Sequence, residues 1–388
     1  MPQAQAQLDL HAHLDMKPGM GPGLIGDFTS PIKVQQWDSR LKTKASMFSL
    51  TSDRAPQLIV MSLYGHPWLS RPFHFEFENN VKAALEQEYL NIVHFVTEHS
   101  KTWSIAKSAK EARDALQNKK HVIVLSIEGA FGAFETEEDY LKWIDERGVA
   151  IVTPFHLTED RFGGTAFMHW KVAFFNTPLS FLESVFMTGG TCLRSFCKSP
   201  MGIKPDGRTL TQNLMTHKVW IDLSHANDME TSELLPEFKA HKLPILITHT
   251  GLREIYPAER AVSPGTIDYL SKNGGMIGLI PSDDFLLELA PGKSCYSGLE
   301  ELKAEFQRVG NAVGFEKVTL GTDINAPLRG LSPSCNHASG GAIKSVLEQK
   351  GFFDYEDFTD LTAYLSPEPH WNEQVLDEFL KNWERVRP

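Results

Sequence analysis

What the 388-residue chain has little of narrows its class before any motif is read. Cysteine occurs four times, too seldom for a disulfide framework to hold a fold of this length, so a hydrophobic core must do so. Cys192 and Cys197 lie close enough in sequence for one local bridge, although buried or idle thiols are the expected state. No uninterrupted apolar run reaches the ~18–20 residues that a membrane-spanning helix needs. Positive charge is in deficit: 38 Lys and Arg against 49 Asp and Glu give a formal charge of −11. Such a mean field repels nucleic acid and anionic membranes and leaves a small-molecule partner. The first residues also lack the basic segment and apolar stretch of an export signal. The expectation is a cytoplasmic protein if Met1 is the native start, and a periplasmic or secreted one if a signal has been removed. With no internal repeat, low-complexity tract or linker, one domain over residues 1–388 is expected.

What is present is enough apolar sequence, 41 %, for a large core, distributed in a regular way. Short runs rich in Val, Ile and Leu, bounded by polar or Gly/Pro segments, read as strands buried on both faces. They are Gln7 to Leu10, Leu58 to Leu63, Val122 to Ile127, Ala150 to Pro154, Val219 to Leu223, Pro244 to Thr248, Gly275 to Ile280 and Lys317 to Gly321. Amphipathic helical stretches separate most of them, the clearest carrying Val81, Leu85, Tyr89, Ile92 and Val96 at three-to-four spacing. Others are Ser108 to Gln117, Thr136 to Glu146, Thr209 to Met215, Ser232 to Ala240, Ser263 to Lys272 and Gly298 to Val313. Repeated strand–helix alternation predicts an α/β fold, a closed (β/α)8 TIM barrel. A doubly wound open sheet would require a Gly-rich phosphate turn after the first strand, where His11-Ala12-His13 stands instead. Two long connections fall at 157–208, rich in Phe and Trp, and at 324–345, rich in Gly, Ser and Pro. The first predicts a cover over the barrel mouth, a subunit contact or a local core of its own.

Metal-ligating residue types cluster at the C-terminal ends of the predicted strands, where barrels build their sites. His11 and His13 close the first strand, and residues two apart on an extended chain point the same way. Glu128 follows the third strand, His225 the fifth, His249 the sixth and Asp323 the eighth. One strand-end histidine would read as structural; six such residues at one end of a barrel predict a metal centre. Imidazoles mixed with hard carboxylates suit Zn²⁺, with Mn²⁺, Fe²⁺ or Co²⁺ also accommodated. A carboxylate shared by two ions would hold a bridging hydroxide that is nucleophilic at neutral pH.

The stretches Ile221-Asp-Leu-Ser-His-Ala-Asn227, Gly202-Ile-Lys-Pro-Asp-Gly-Arg208 and Ser126-Ile-Glu-Gly129 resemble those of the membrane dipeptidase (renal dipeptidase) family of the amidohydrolase superfamily. The similarity runs from about Leu8 to the Phe379–Val386 tail. It implies an amidohydrolase-like barrel with two zinc ions per chain. His11, His13 and Glu128 would hold the first, and Glu128, His225 and His249 the second. It implies that Asp323 contacts the bridging water and shuttles its proton, and that His156 stabilises the tetrahedral oxyanion. Arg260, by the same resemblance, clamps the substrate's terminal carboxylate. His66, after the second strand, and Asn325, two residues past Asp323, are further candidate substrate contacts. The implied activity is zinc-dependent hydrolysis of dipeptides or related N-acyl amino acids, and the implied assembly, which the aromatic 157–208 segment also suggests, is a homodimer.

One departure bears on substrate. Where the family pattern reads His-x-Asp at the first strand, this chain has His13, which makes the site more positive by about one charge and should lower the pKa of bound water. Hydrolysis of a lactone, cyclic amide or phosphoester is the second expectation, and a non-catalytic binding protein descended from such an enzyme the third.

Overall fold

The structure, a computed structural model, describes residues 7–13, 50, 54–64, 81–168, 173–174, 176–286, 297–324, 328, 330–335, 345–352 and 355–388. Nine strands form one parallel sheet: β1 Leu8–Ala12, β2 Leu58–Tyr64, β3 Trp103–Ala106, β4 His121–Glu128, β5 Ile151–Thr153, β6 Trp220–Ile221, β7 Ile245–Thr250, β8 Gly275–Leu279 and β9 Val318–Leu320. Their order, β6-β5-β4-β2-β1-β9-β8-β7, is that of a barrel opened at one seam. The seam is drawn together by the parallel bridge Asp222↔Leu246, with Leu223 N–H donating to the Leu246 carbonyl at 2.9 Å. A nearly closed eight-stranded barrel, the predicted (β/α)8 architecture, results.

Each predicted strand corresponds to one barrel strand. The reason is burial on both faces: every residue of β1, β2, β5, β7 and β8 is buried, so these strands read as unbroken apolar runs. The ninth, β3, went unpredicted. It pairs only with the first half of β4, and its two central residues are half exposed, so four residues carry neither an apolar run nor an alternation.

The helices include α1 Val81–Glu98, α2 Ala109–Gln117, α3 Pro178–Met187, α4 Pro205–Thr216, α5 Asp228–His241, α6 Pro264–Asn273, α7 Gly298–Val313, α8 Phe358–Leu365 and α9 Trp371–Val386. The predicted helix over Thr136–Glu146 divides into a turn of α-helix, Glu137–Tyr140, and a π-helical stretch, Leu141–Glu146. Side chains fix where helices begin. Ser108 accepts from Glu111 N–H ahead of α2, and Asn227 and Glu230 form a reciprocal capping box ahead of α5.

The 157–208 connection differs from expectation in two ways. It contains α3, and it ends earlier, because α4 begins at Pro205. Phe167, Ala173, Phe181, Cys192 and Cys197 form a small core separate from that of the barrel. Cys192 and Cys197 are bonded to each other and Cys335 is disulfide-bonded as well, which corrects the expectation of idle thiols. Of the 324–345 connection, residues 324, 328, 330–335 and 345 are described.

Candidate metal centre

Because the strands are parallel, all their C-terminal ends open on one side, and the sheet register sets which residues meet there. Tyr64 pairs with Glu128, and Glu128 with Thr153, so the last residues of β2, β4 and β5 lie in one row. From the end of β4, Glu128 reaches the axis. His11 Nε2 lies 3.5 Å from its Oε1, and His13 Nε2 3.3 Å from its Oε2. From the other side of the barrel, His225 Nε2 and His249 Nε2 approach Oε1 at 3.1 and 3.3 Å. The result is two triads, His11–His13–Glu128 and Glu128–His225–His249, with ligand atoms within 4.8 Å of one another in each and the carboxylate common to both. Asp323, three residues beyond β9, completes the ring, its Oδ1 lying 3.4 Å from His13 Nε2 and 3.8 Å from His11 Nε2. Its backbone has φ of +50°, a left-handed conformation that Asp tolerates better than most side chains. The six residues predicted from strand ends are therefore brought together.

Their polar atoms behave as a cation site would require. Glu128 Oε1 and His11 Nε2 are buried and make no hydrogen bond, although nitrogen and oxygen atoms surround them. Leaving such groups unpaired costs ~1–3 kcal/mol each, which a bound cation would offset. Two imidazoles are held neutral. His225 is pushed down to about 3 by burial and by the charges of Arg260 and His156, and His249 is also lowered, by burial and by His11 and Arg260. Glu128 is held well below the usual carboxylate range: burial opposes this, but the facing His156 and His11 outweigh it. His13 is instead pushed up to about 10: burial opposes this, but the facing Asp323 and Glu128 outweigh it, so an ion bound there would displace its proton. Neutral nitrogens at His225 and His249 beside an ionised, shared carboxylate fit a divalent transition metal.

Further polar groups hold the ligands in place. His13 Nδ1 lies 3.0 Å from the Ser62 carbonyl, which can only accept, so Nδ1 carries the proton and Nε2 faces Glu128. Asp9 ties β1 to β9, accepting from His11 N–H at 3.2 Å, Thr322 N–H at 2.9 Å, the Thr322 hydroxyl at 2.6 Å and the Tyr355 hydroxyl at 2.7 Å. Asp222 occupies a similar place beneath β7.

His156 and Arg260 flank the second triad. His156 Nε2 stands 3.5 Å from Glu128 Oε1, and its ring packs edge-on against His225 and against Tyr64. The Arg260 guanidinium is 2 % exposed; it donates to the His249 carbonyl at 3.0 Å and lies 3.2 Å from His225 Nε2, while its Nε makes no hydrogen bond. The 157–208 connection holds it there. Arg260 N–H donates to the Phe167 carbonyl, and the neighbouring Glu259 carboxylate accepts from Phe167 N–H at 3.1 Å and Ser199 N–H at 2.7 Å. The segment thus builds a core of its own, the third of the expectations for it, and packs against Glu259 and Arg260.

Sequence reasoning missed Tyr64, whose ring stands between His13 and His156, and Thr248, which contacts two ligand rings. Tyr64 had a usable signal, its place at a strand end; Thr248 had none, since Thr is ordinary in a strand. His66 and Asn325 lie outside the described residues.

The sequence model of the membrane dipeptidase family, peptidase family M19, matches residues 188–334, a span that holds His225, His249, Arg260 and Asp323. Over that span, which is less than half of the chain, the sequence is similar to the membrane dipeptidase family. A dipeptidase of Aspergillus terreus, ataJ, is 20 % identical over 272 residues, covering 68 % of this chain and 62 % of that protein. The curated relatives are matched over 52 % and 62 % of their own lengths. Among solved structures, the probable dipeptidase PvdM of Pseudomonas aeruginosa superposes with a TM-score of 0.69 at 15 % identity, over 99 % of this chain and 96 % of that one. A metallopeptidase of Rhodobacter sphaeroides, liganded with a phosphinate mimic of L-Ala-D-Ala, gives 0.65 at 15 % identity, over 98 % and 99 %. These superpositions show that the two proteins share this chain's fold. His11, His13, Glu128 and His156 fall outside the matched span, and for them the geometry is the evidence.

Proposed function

We propose that this chain is a binuclear metallohydrolase of the membrane dipeptidase type, with zinc the expected ion, that cleaves dipeptides or related N-acyl amino acids. One observation carries the reading: a single buried carboxylate, Glu128, is common to two groups of ligand atoms. Divalent ions held there would supply Lewis acidity and lower the pKa of a water molecule toward neutrality. The chain's own residues do the rest. Asp323, beside the first triad, accepts the proton of the attacking water and delivers it to the departing amine. His156, across the cleft on Glu128, donates a hydrogen bond to the oxygen that gains charge as the carbonyl becomes tetrahedral. Arg260 binds the substrate's free carboxylate with a planar, permanently charged fork. The relative that binds a dipeptide phosphinate supports the substrate class.

Two lesser assignments accompany it. Leu179, Leu182, Phe186 and Met187 on α3 are exposed, which supports a homodimer contact there. The bonded cysteines support an oxidising compartment.

The test is to measure metal content and hydrolysis on one purified sample supplied with Zn²⁺, Mn²⁺ or Co²⁺, using L,L and L,D dipeptides beside lactones and phosphoesters. Bound metal with dipeptide cleavage is expected. Turnover of esters or phosphoesters alone would assign the bond to the alternative that His13 raises. Less than about one ion per chain with no turnover would leave a binding protein.

A further inference from the structure

Beneath the two triads lies a buried hydroxyl that touches one ligand from each. Thr248 Oγ1 is 2.9 Å from His249 Nδ1 and 3.3 Å from His11 Nδ1, and His249 and His11 belong to different triads. A hydroxyl has one proton to give. Here its destination is fixed, because Thr248 Oγ1 also lies 2.7 Å from Asp222 Oδ2. Asp222 is fully buried and receives five donors: the hydroxyls of Thr153 at 2.6 Å, Ser224 at 2.6 Å and Thr248, and the backbone N–H groups of Ser224 at 3.1 Å and Thr248 at 2.8 Å. That is the environment of an acceptor-only carboxylate. The Ser224 hydroxyl spends its proton on Asp222 too, so at 3.0 Å from Thr248 it does not compete for the threonine's lone pairs. Both lone pairs are left to accept, and the two imidazole Nδ1–H groups are the donors in place.

We propose that Thr248, oriented by Asp222, is a positioning residue shared by the two half-sites, fixing His11 and His249 together as Nδ1–H tautomers with their Nε2 lone pairs turned toward Glu128. The inference rests on the binuclear reading above and adds to it a coupling: one hydroxyl serves both ions. The two half-sites are unequal in what else supports them. His11 Nδ1 has a second contact, the Ser62 hydroxyl at 3.5 Å, whereas His225 Nδ1 has no hydrogen-bond partner, so the second triad depends on His249 for its orientation. Losing an orienting partner of this kind weakens metal binding by about 10- to 100-fold.

The experiment is competition of Zn²⁺ between the intact protein and a chromophoric chelator, for wild type, Thr248→Val, Thr248→Ser and Asp222→Asn, with long-range ¹H–¹⁵N spectra of the histidine rings. Wild type is expected to bind two ions; if it binds none, the metal reading fails before this inference is reached. Thr248→Val, matched in shape, should weaken both ions by about 10- to 100-fold and release the Nδ1–H preference of His249 and His11. Thr248→Ser should restore both. If Thr248→Val does not fold, Asp222→Asn serves in its place, because an amide that donates to the threonine turns the hydroxyl proton toward the rings and should weaken both ions as well. Weakening of one ion alone, or unchanged affinity for both in folded Thr248→Val, would overturn the shared role.

Discussion

His225 Nε2 and His249 Nε2 face each other at 3.1 Å, both within 3.3 Å of the same Glu128 oxygen. Burial and the surrounding positive charges hold both rings neutral, so each carries one N–H and keeps one nitrogen lone pair that could take a cation. A cation placed between them would be met by two imidazole nitrogens and a carboxylate oxygen.

Removing the common carboxylate should therefore empty both half-sites rather than one. Glu128→Gln is expected to weaken both ions by more than about 100-fold, the upper end for loss of a merely orienting partner, and to abolish turnover. Isothermal titration with Zn²⁺ reads this directly. One retained ion of wild-type affinity would mean that the carboxylate is not shared.

Arg260 offers a different readout. Its guanidinium sits beside His225 with Nε unpaired, so Arg260→Ala should raise KM for free dipeptides by about 10- to 100-fold, the range of a charge-assisted contact worth ~1.5–3 kcal/mol. Substrates whose C-terminal carboxylate is amidated should show little change between wild type and variant. Arg260→Lys should not restore binding, because a point charge lacks the planar fork. An equal loss on both substrate types would remove the carboxylate clamp.

How much of this was legible follows from where each residue sits. The strands could be read because a parallel barrel buries both faces, and β2, Leu-Ile-Val-Met-Ser-Leu-Tyr, is apolar almost throughout. The ligands could be read because each stands at, or within four residues past, the C-terminal end of a strand, and His11-Ala-His13 has the two-residue period of an extended chain. Arg260 stands in a loop after β7, without such a periodicity, and only resemblance found it. Helix α3 was hidden for the opposite reason. Phe181 faces the small core while Leu179, Leu182 and Phe186 face solvent, so no polar stripe marks its outer side.

Stability should depend on pH through a carboxyl outside the two triads. Burial pushes Glu305 up to about 8 from an ordinary 4.5; one oxygen accepts from Leu252 N–H and the other has no partner. The folded protein then binds more protons than the unfolded chain between those pH values, so stability is complete below about 4.5 and is lost as pH rises through 8. Glu305→Gln keeps an acceptor for Leu252 and removes the titration. Its Tm should exceed that of wild type progressively from pH 5 to pH 8, by the equivalent of on the order of 4 kcal/mol. Parallel Tm–pH curves would show that Glu305 does not carry the effect.

The exposed face of α3 predicts assembly. Leu179 is 81 % exposed and Phe186 88 %, with Met187 and Leu193 nearby, an apolar surface that is costly to leave in water. Covered by a second copy, it would account for a helix that is apolar on both sides. Light scattering at micromolar concentration should give a dimer, and Leu179→Glu with Phe186→Glu should give a monomer that keeps its metal, since neither residue belongs to either triad. A wild-type monomer at those concentrations would end the proposal; a double variant that remains dimeric would move the contact to another face.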